Sequence, residues 1–115
     1  MTIKIYHNPR CSKSRQTLAI VESKTSEFKI IEYFKNPLTF EEITLLLSQL
    51  NIKPIELVRI QESIWKENYK GKEINNDEII NALINNPKLI KRPIVTTNKK
   101  AIIGTPPENV LELFS

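Results

Sequence analysis

The sequence predicts an α/β fold built on a four-stranded mixed sheet. Short runs of β-branched and aromatic residues near both ends of the chain are typical of strands, and amphipathic runs between them are typical of helices. A strand–helix–strand opening predicts a parallel pair joined by a right-handed crossover. A strand–turn–strand near the end predicts an antiparallel hairpin. These observations together predict both kinds of strand pairing in one sheet.

The first predicted element is a short strand, Thr2–Tyr6, in which apolar and polar residues alternate. The pair Asn8-Pro9 marks a turn. A helix then runs from Ser12 to about Ser23, because its apolar residues recur on one side. The second strand, Phe28–Phe34, is rich in β-branched and aromatic residues, and it ends at the break Asn36-Pro37.

The middle of the chain is predicted to be helical. Thr39 and Glu42 have the Thr-x-x-Glu spacing of a capping box. The helix that follows carries apolar residues at helical spacing: Phe40, Ile43, Leu46, Leu47 and Leu50. Pro54 suits the first position of a further short helix, Pro54–Ile60.

A polar stretch, Lys66–Asn76, is predicted to be a surface loop. The next helix is predicted over Asp77–Asn86, with Asn76 as its N-cap. Pro87 ends it, because the residue before a proline disfavours the helical conformation.

The last part of the chain predicts the hairpin and a closing helix. Pro93–Thr97 is the third strand, Asn98-Lys99 is a tight turn, and Lys100–Ile103 returns as the fourth strand. The final helix is predicted over Glu108–Phe114.

Composition sets limits on function. With 115 residues, 40% apolar and 26% charged, the chain suits one domain. The net charge of +4 fits an anionic ligand or simply solvated lysines. The two glycines, Gly71 and Gly104, stand too far apart for a phosphate-binding glycine loop. The sequence has no basic stripe interleaved with aromatic residues, which would predict nucleic-acid binding. It also has no apolar run long enough to predict a membrane span.

The single cysteine excludes an internal disulfide, a cysteine-rich zinc site and a CxxC redox pair. One histidine four residues from one cysteine provides too few ligands for a metal. The opening residues Met1–His7 lack the apolar core of a secretion signal, and with the free thiol this predicts a cytoplasmic location.

Cys11 is the strongest candidate for chemistry. It follows a predicted strand and turn and immediately precedes a predicted helix, where backbone N–H groups and the helix dipole stabilise a thiolate. The alternative is an inert buried cysteine. Polar or cationic neighbours in the sequence could support the thiolate or hold an oxyanion: His7, Arg10, Ser12, Lys13, Ser14 and Arg15.

Two arginines stand apart from the scattered lysines. Arg59 lies in the apolar run Leu57–Ile60, and Arg92 directly precedes Pro93. A guanidinium can grip a tetrahedral oxyanion through two parallel hydrogen bonds, although either arginine could instead lie in a surface ion pair.

Three stretches taken together resemble the glutaredoxin-dependent arsenate reductases: His7–Arg15 (HNPRCSKSR), Leu57-Val58-Arg59 and Arg92–Val95 (RPIV). The resemblance covers essentially the whole chain. It implies a thioredoxin-like fold in which residues 1–115 form a single domain with a helical insertion at about 39–89.

The resemblance also implies roles for individual residues. Cys11 would be the nucleophile, His7 would help to ionise it, and Ser14 and Arg15 would support the anion loop. The predicted oxyanion-binding residues are Ser12, Arg59, Arg92 and Thr105. Arg92-Pro93 would match the cis-proline junction of thioredoxin-like folds.

Thr105 departs from the pattern of this family, which has an arginine there. A threonine hydroxyl can donate one hydrogen bond but brings no charge. The resemblance implies arsenate as substrate, no bound cofactor or metal, and glutathione as co-substrate with glutaredoxin as donor. It is consistent with a monomer.

Two other functions stay open. The related Spx-like proteins bind RNA polymerase and usually carry a CxxC switch, whereas Ser14 stands at the second cysteine position here. The Cys11-x-x-Ser14 spacing also fits a monothiol glutaredoxin-like oxidoreductase that reduces mixed disulfides with glutathione.

Overall fold

The computed structural model describes residues 3–114. Its strands are β1 (Ile3–Tyr6), β2 (Phe28–Ile31), β3 (Ile94–Thr96) and β4 (Ala101–Ile103). Its α-helices are α1 (Ser12–Lys24), α2 (Phe40–Leu50), α3 (Ser63–Asn68) and α4 (Asn76–Asn85), and its 3-10 helices are Pro54–Leu57, Pro87–Leu89 and Pro107–Phe114. The chain divides into two compact units: a first unit, up to Asn36 and from Arg92 onwards, and a second unit, Pro37–Lys91.

The sheet of the first unit has the order β2-β1-β3-β4. β1 pairs with β2 in parallel, with Ile3 opposite Phe28 and Tyr6 opposite Ile31. β3 pairs antiparallel with both β1 and β4. The predicted four-stranded mixed sheet, with its parallel opening and its antiparallel hairpin, is therefore confirmed.

Strand β2 is shorter than predicted. The sequence pattern extends it to Phe34, but β2 ends at Ile31, opposite Tyr6, the last residue of β1. Beyond that point no partner strand accepts further ladder bonds, and the chain turns, with the N–H groups of Lys35 and Asn36 donating to the Glu32 carbonyl. The start of the first predicted strand, Thr2, and the two ends of the predicted domain lie outside the described residues.

Apolar side chains from the sheet, α1 and the C-terminal 3-10 helix form the core of the first unit. Its fully buried members are Ile3, Ile5, Val21, Val95 and Val110. Because each buried side chain of this size is worth roughly 1.5–3 kcal/mol relative to exposure, this small core anchors α1 against the sheet. The start of α1 thereby has a fixed place at the end of β1.

The second unit is helical, and capping boxes mark the start of two of its helices, α2 and α4. The predicted box at α2 is present: the Thr39 hydroxyl accepts from the Glu42 N–H, and the Glu42 carboxylate accepts from the Thr39 N–H. At α4 the predicted N-cap Asn76 is wrong, because Asn75 caps the helix and pairs with Glu78. Only Asn75 stands three residues before a glutamate, as a capping box requires.

Three further predictions need correction. Part of the polar stretch expected to be a loop belongs to α3, which Trp65 anchors by burying its ring and stacking on Tyr69 at a centroid distance of 5.1 Å. The closing helix forms as predicted in position but is a 3-10 helix, Pro107–Phe114. The short helix expected at Pro54–Ile60 is a 3-10 turn that ends at Leu57.

Among residues 3–114, no helix combines the length and the apolar character needed to cross a membrane.

Candidate active site

Cys11 is the N-cap of α1. Its backbone is extended, with φ −93° and ψ 123°, and its carbonyl already accepts the first helical hydrogen bond, from the N–H of Arg15 at 3.1 Å. Its own N–H donates to the Asn8 carbonyl at 3.0 Å, which closes the turn between β1 and α1. The thiol is half-buried and stands at the positive end of the helix dipole.

The pKa of Cys11 is lower than that of an ordinary cysteine. Burial acts to raise it, but hydrogen bonding from the Ser14 N–H, the Arg92 guanidinium and the Lys13 N–H, together with the positive charge of Arg92, outweighs burial. The thiolate is the nucleophilic form of cysteine, so these donors activate the residue.

Ser14 joins the turn to the histidine. Its buried hydroxyl oxygen accepts a hydrogen bond from the Asn8 N–H at 3.0 Å and lies 2.6 Å from Nδ1 of His7. The same residue therefore supports Cys11 through its backbone N–H and contacts His7 through its side chain. His7 in turn is tied to β2, because its N–H donates to the Ile31 carbonyl.

The pKa of His7 is lowered. Burial is the main cause; the negative charge of Glu32 opposes it, and the positive charge of Arg15 adds to it. A serine hydroxyl can accept two hydrogen bonds and donate one, so the tautomer of the His7 ring decides whether Nδ1 donates to Ser14 or accepts from it.

Arg15 and Arg10 act on the same turn. The Arg15 guanidinium, through Nη1, donates to the Pro9 carbonyl at 2.8 Å, and the Arg10 N–H donates to the Asn8 side-chain oxygen at 3.1 Å. Both residues are exposed, as is Ser12, the first residue of α1. Backbone and side-chain donors thus hold the cysteine turn in one shape.

Arg92 enters this site from the residue before β3. Its guanidinium acts on the Cys11 sulfur and also lies over the Phe34 ring, 5.7 Å from the ring centroid. The Arg92-Pro93 peptide bond is cis, as the resemblance implied. The same is true of Thr105-Pro106.

Thr105 lies beside the Arg92 backbone. Its hydroxyl donates to the Arg92 carbonyl at 3.2 Å, and its own carbonyl accepts from the side-chain amide of Asn109 at 3.1 Å. The Gly104 N–H donates to the Pro93 carbonyl at 2.8 Å. The segment after β4 is therefore bonded at two successive residues to the segment that carries Arg92.

Gly104 packs closely on α1. A Cβ atom at this position would lie 2.7 Å from Oγ1 of Thr17 and 3.0 Å from Cγ of Pro93. Thr17 is fully buried, and its Oγ1 has no hydrogen-bond partner among the described residues. The absence of a side chain at Gly104 lets the arginine-bearing segment approach the helix that starts at Cys11.

Arg59 belongs to the second unit. Its N–H donates to the Leu89 carbonyl at 2.7 Å, next to an isolated antiparallel bridge between Val58 and Ile90. Its guanidinium is ion-paired with Glu62 at 3.1 Å, and Glu62 also pairs with Lys88 at 3.6 Å. The interaction found for this predicted oxyanion ligand is thus an ion pair within its own unit.

The first unit brings together six of the predicted site residues: His7, Cys11, Ser14, Arg15, Arg92 and Thr105. The sequence pattern, which places Phe34 in a strand, does not predict its contribution to the site or that of Glu32 to the pKa of His7. It gave no indication of the contact between Thr17 and Gly104 either, because that packing depends on the fold. Within residues 3–114, no three histidine, cysteine, aspartate or glutamate side chains cluster as metal ligands would.

The fold and this site define a thioredoxin-like protein with one acidified cysteine at the start of a helix and an arginine beside it. The chain belongs to the ArsC family, whose profile matches residues 6–113. The resemblance stated from the sequence is thereby confirmed.

Similar proteins cover nearly the whole chain. "Uncharacterized protein YfgD" of Escherichia coli is 42% identical over 96% of this chain and 95% of its own length. The arsenate reductase of Haemophilus influenzae is 36% identical over 99% of this chain and 100% of its own length. The solved structure of the arsenate reductase from Vibrio cholerae superposes with a TM-score of 0.92, at 40% identity and 97% coverage of both chains.

Proposed function

We propose that the protein is an arsenate reductase that uses Cys11 as its nucleophile and draws electrons from glutathione and glutaredoxin. The observation that carries the proposal is the combination of an acidified thiol at a helix N-terminus with the Arg92 guanidinium beside it. Membership in the ArsC family and the names of close relatives support arsenate as the substrate.

In the first step the Cys11 thiolate attacks the arsenic atom of arsenate. An S–As bond forms, and one As–O bond breaks as that oxygen leaves as water after taking up two protons. The N–H groups at the start of α1 and the Arg92 guanidinium suit the negative charge on the oxyanion, because charge-assisted donors at a fixed place stabilise it without reorganisation.

In the second step glutathione attacks the Cys11 sulfur. The S–As bond breaks, its electron pair stays on arsenic, and arsenic is reduced from the pentavalent to the trivalent state and leaves as arsenite. A disulfide between Cys11 and glutathione forms. The chain has no second cysteine to resolve it, so glutaredoxin is the proposed reductant that restores the thiol.

The neutral His7 ring suits a positioning role in this scheme. Its contact with Ser14 holds the residue whose N–H acts on the Cys11 sulfur. Arg15 supports the same turn through the Pro9 carbonyl. The role predicted for Arg59 in oxyanion binding stays a prediction from the sequence, and an Arg59→Gln variant in the assay below tests it.

The decisive experiment measures arsenite formed from arsenate by the full chain in the presence of glutathione and glutaredoxin. We expect activity from the wild-type protein, background rates from Cys11→Ser, and retained activity from the control Ser23→Ala, an exposed serine at the far end of α1, with circular dichroism confirming the fold of each. Omission of glutaredoxin should slow turnover after the first equivalent of arsenite per Cys11, because free glutathione then has to reduce the mixed disulfide by itself.

Three results would count against the proposal. Absence of arsenite with every thiol donor would remove it. Reduction of glutathione mixed disulfides in place of arsenate would assign the monothiol oxidoreductase function. Retention of RNA polymerase by a protein that makes no arsenite would assign the Spx-like regulatory function.

A further inference from the structure

The backbone that carries Arg92 is held from the segment that follows β4. The Gly104 N–H donates to the Pro93 carbonyl at 2.8 Å, and the hydroxyl of the next residue, Thr105, donates to the Arg92 carbonyl at 3.2 Å. Two consecutive donors therefore reach two consecutive carbonyls. These two bonds fix the backbone at Arg92, from which its side chain extends.

Thr105 is itself anchored. Its carbonyl accepts from the Asn109 side-chain amide at 3.1 Å, and the Asn109 N–H donates to the Pro106 carbonyl at 3.0 Å. The C-terminal 3-10 helix that contains Asn109 packs through the buried Val110 into the core of the first unit. The bond to Asn109 and the packing of this helix thus hold the Thr105 backbone, and with it the hydroxyl, in place.

A threonine hydroxyl has only one proton to donate. While Thr105 donates it to the Arg92 carbonyl, the same proton is not available to an oxyanion. The contact found for Thr105 therefore differs from the substrate contact that the resemblance implied for it, and it acts on the arginine instead.

We propose that Thr105 is a positioning residue: its bond to the Arg92 carbonyl holds the Arg92 guanidinium against the Cys11 sulfur. The guanidinium also lies over the Phe34 ring, with its carbon 5.7 Å from the ring centroid. The inference concerns the site of the proposed reaction, but it requires no arsenate chemistry.

The role proposed for Thr105 can be tested through the acidity of Cys11. Three of them lower its pKa: the N–H groups of Ser14 and Lys13, both on α1, and the guanidinium of Arg92. Other groups of the same turn are bonded elsewhere: Arg15 to the Pro9 carbonyl, the Arg10 N–H to the Asn8 side chain, and His7 to Ser14. Of all these groups only Arg92 is bonded to Thr105, so a change in thiol acidity after substitution of Thr105 reports on Arg92.

The test measures the rate of alkylation by iodoacetamide as a function of pH, on the full chain and without substrate. The chain has one cysteine, so the midpoint of the profile is the pKa of Cys11. Thr105→Val removes the hydroxyl and keeps the shape, whereas Thr105→Ser keeps the hydroxyl. Thr44→Val is the matched control, because the Thr44 hydroxyl makes a similar exposed bond, to the Phe40 carbonyl in α2.

We expect Thr105→Val to raise the midpoint by about half a pKa unit, the size of a modest hydrogen-bond loss. Thr105→Ser and Thr44→Val should keep the wild-type midpoint. Thr105→Ala provides the same measurement if thermal denaturation shows that the valine variant is unfolded.

An unchanged midpoint in both hydroxyl-free variants would overturn the inference, as would an equal shift in Thr105→Ser. A higher arsenate KM with an unchanged midpoint would assign Thr105 to the substrate instead. A protein that makes no arsenite would refute the proposed function and leave this measurement intact, so the two failures are distinguishable.

Discussion

The Nδ1 atom of His7 lies 2.6 Å from the hydroxyl oxygen of Ser14, and both side chains are buried. The imidazole thus acts on the cysteine turn through a serine. Ser14 connects three parts of the site, because its hydroxyl also accepts from the Asn8 N–H and its own N–H acts on the Cys11 sulfur.

Substitution of Ser14 by alanine should lower the free energy of unfolding by about 1–3 kcal/mol, the cost of leaving buried polar groups unsatisfied. The groups that lose their partner are Nδ1 of His7 and the N–H of Asn8. Urea denaturation monitored by circular dichroism measures the change.

The matched control is Ser12→Ala, two residues earlier on the exposed side of α1. It should stay within about 0.5 kcal/mol of the wild type, as surface substitutions usually do. Equal losses in the two variants would show that the bridge to His7 contributes nothing specific to stability.

The titration of His7 should make the protein less stable in acid. Burial holds the pKa of His7 below the ordinary value of 6.5, so its contribution to stability is complete above pH 6.5. Below that pH the unfolded chain takes up the proton first, and the contribution is lost progressively as the pH falls through the folded pKa. Since the chain has one histidine, its ring proton resonances give the midpoint directly by NMR. A midpoint at or above 6.5 would contradict the assignment of a neutral ring.

Substitution of Gly104 by alanine should destabilise the first unit by about 1–3 kcal/mol, because the new Cβ would lie 2.7 Å from Oγ1 of Thr17. Combining it with Thr17→Ala should restore part of the loss. The restoration is incomplete because Cγ of Pro93, at 3.0 Å, still opposes the added methyl group.

A double-mutant cycle checks this coupling by urea denaturation of the wild type, both single variants and the double variant. The double variant should lose clearly less than the sum of the two single losses. Additive losses in the free energy of unfolding would mean that the Thr17 side chain does not oppose a Cβ atom at position 104.

Local signals were enough to predict much of the fold. The spacing of Thr39 and Glu42 located the start of α2, because a capping box involves only residues within one turn. The length of β2 could not be read from its own residues, since the end of β1 sets where pairing stops. The burial of Trp65, which defines α3, likewise depends on the neighbours that the fold supplies.

The site likewise contains residues that local patterns predicted and residues whose place depends on the rest of the fold. The position of Cys11 before a helix was predictable, because it needs only a strand, a turn and a helix in order. Arg92 lies 81 residues further along the chain, and its place in the site depends on the pairing of β3 with β1. No local pattern predicted this place; the prediction came from the family resemblance. Its neighbours Phe34 and Thr105 come from two further segments, which no spacing rule connects.

The presence of one thiol per molecule has a practical consequence. Cys11 is both the only cysteine in the chain and the acidified residue of the site, so a neutral alkylating probe at moderate pH should attach once, and only there. The moles of probe incorporated therefore count the molecules whose reactive group is intact. Rates from different preparations or variants can be divided by that number, which separates a weak catalyst from a partly oxidised sample.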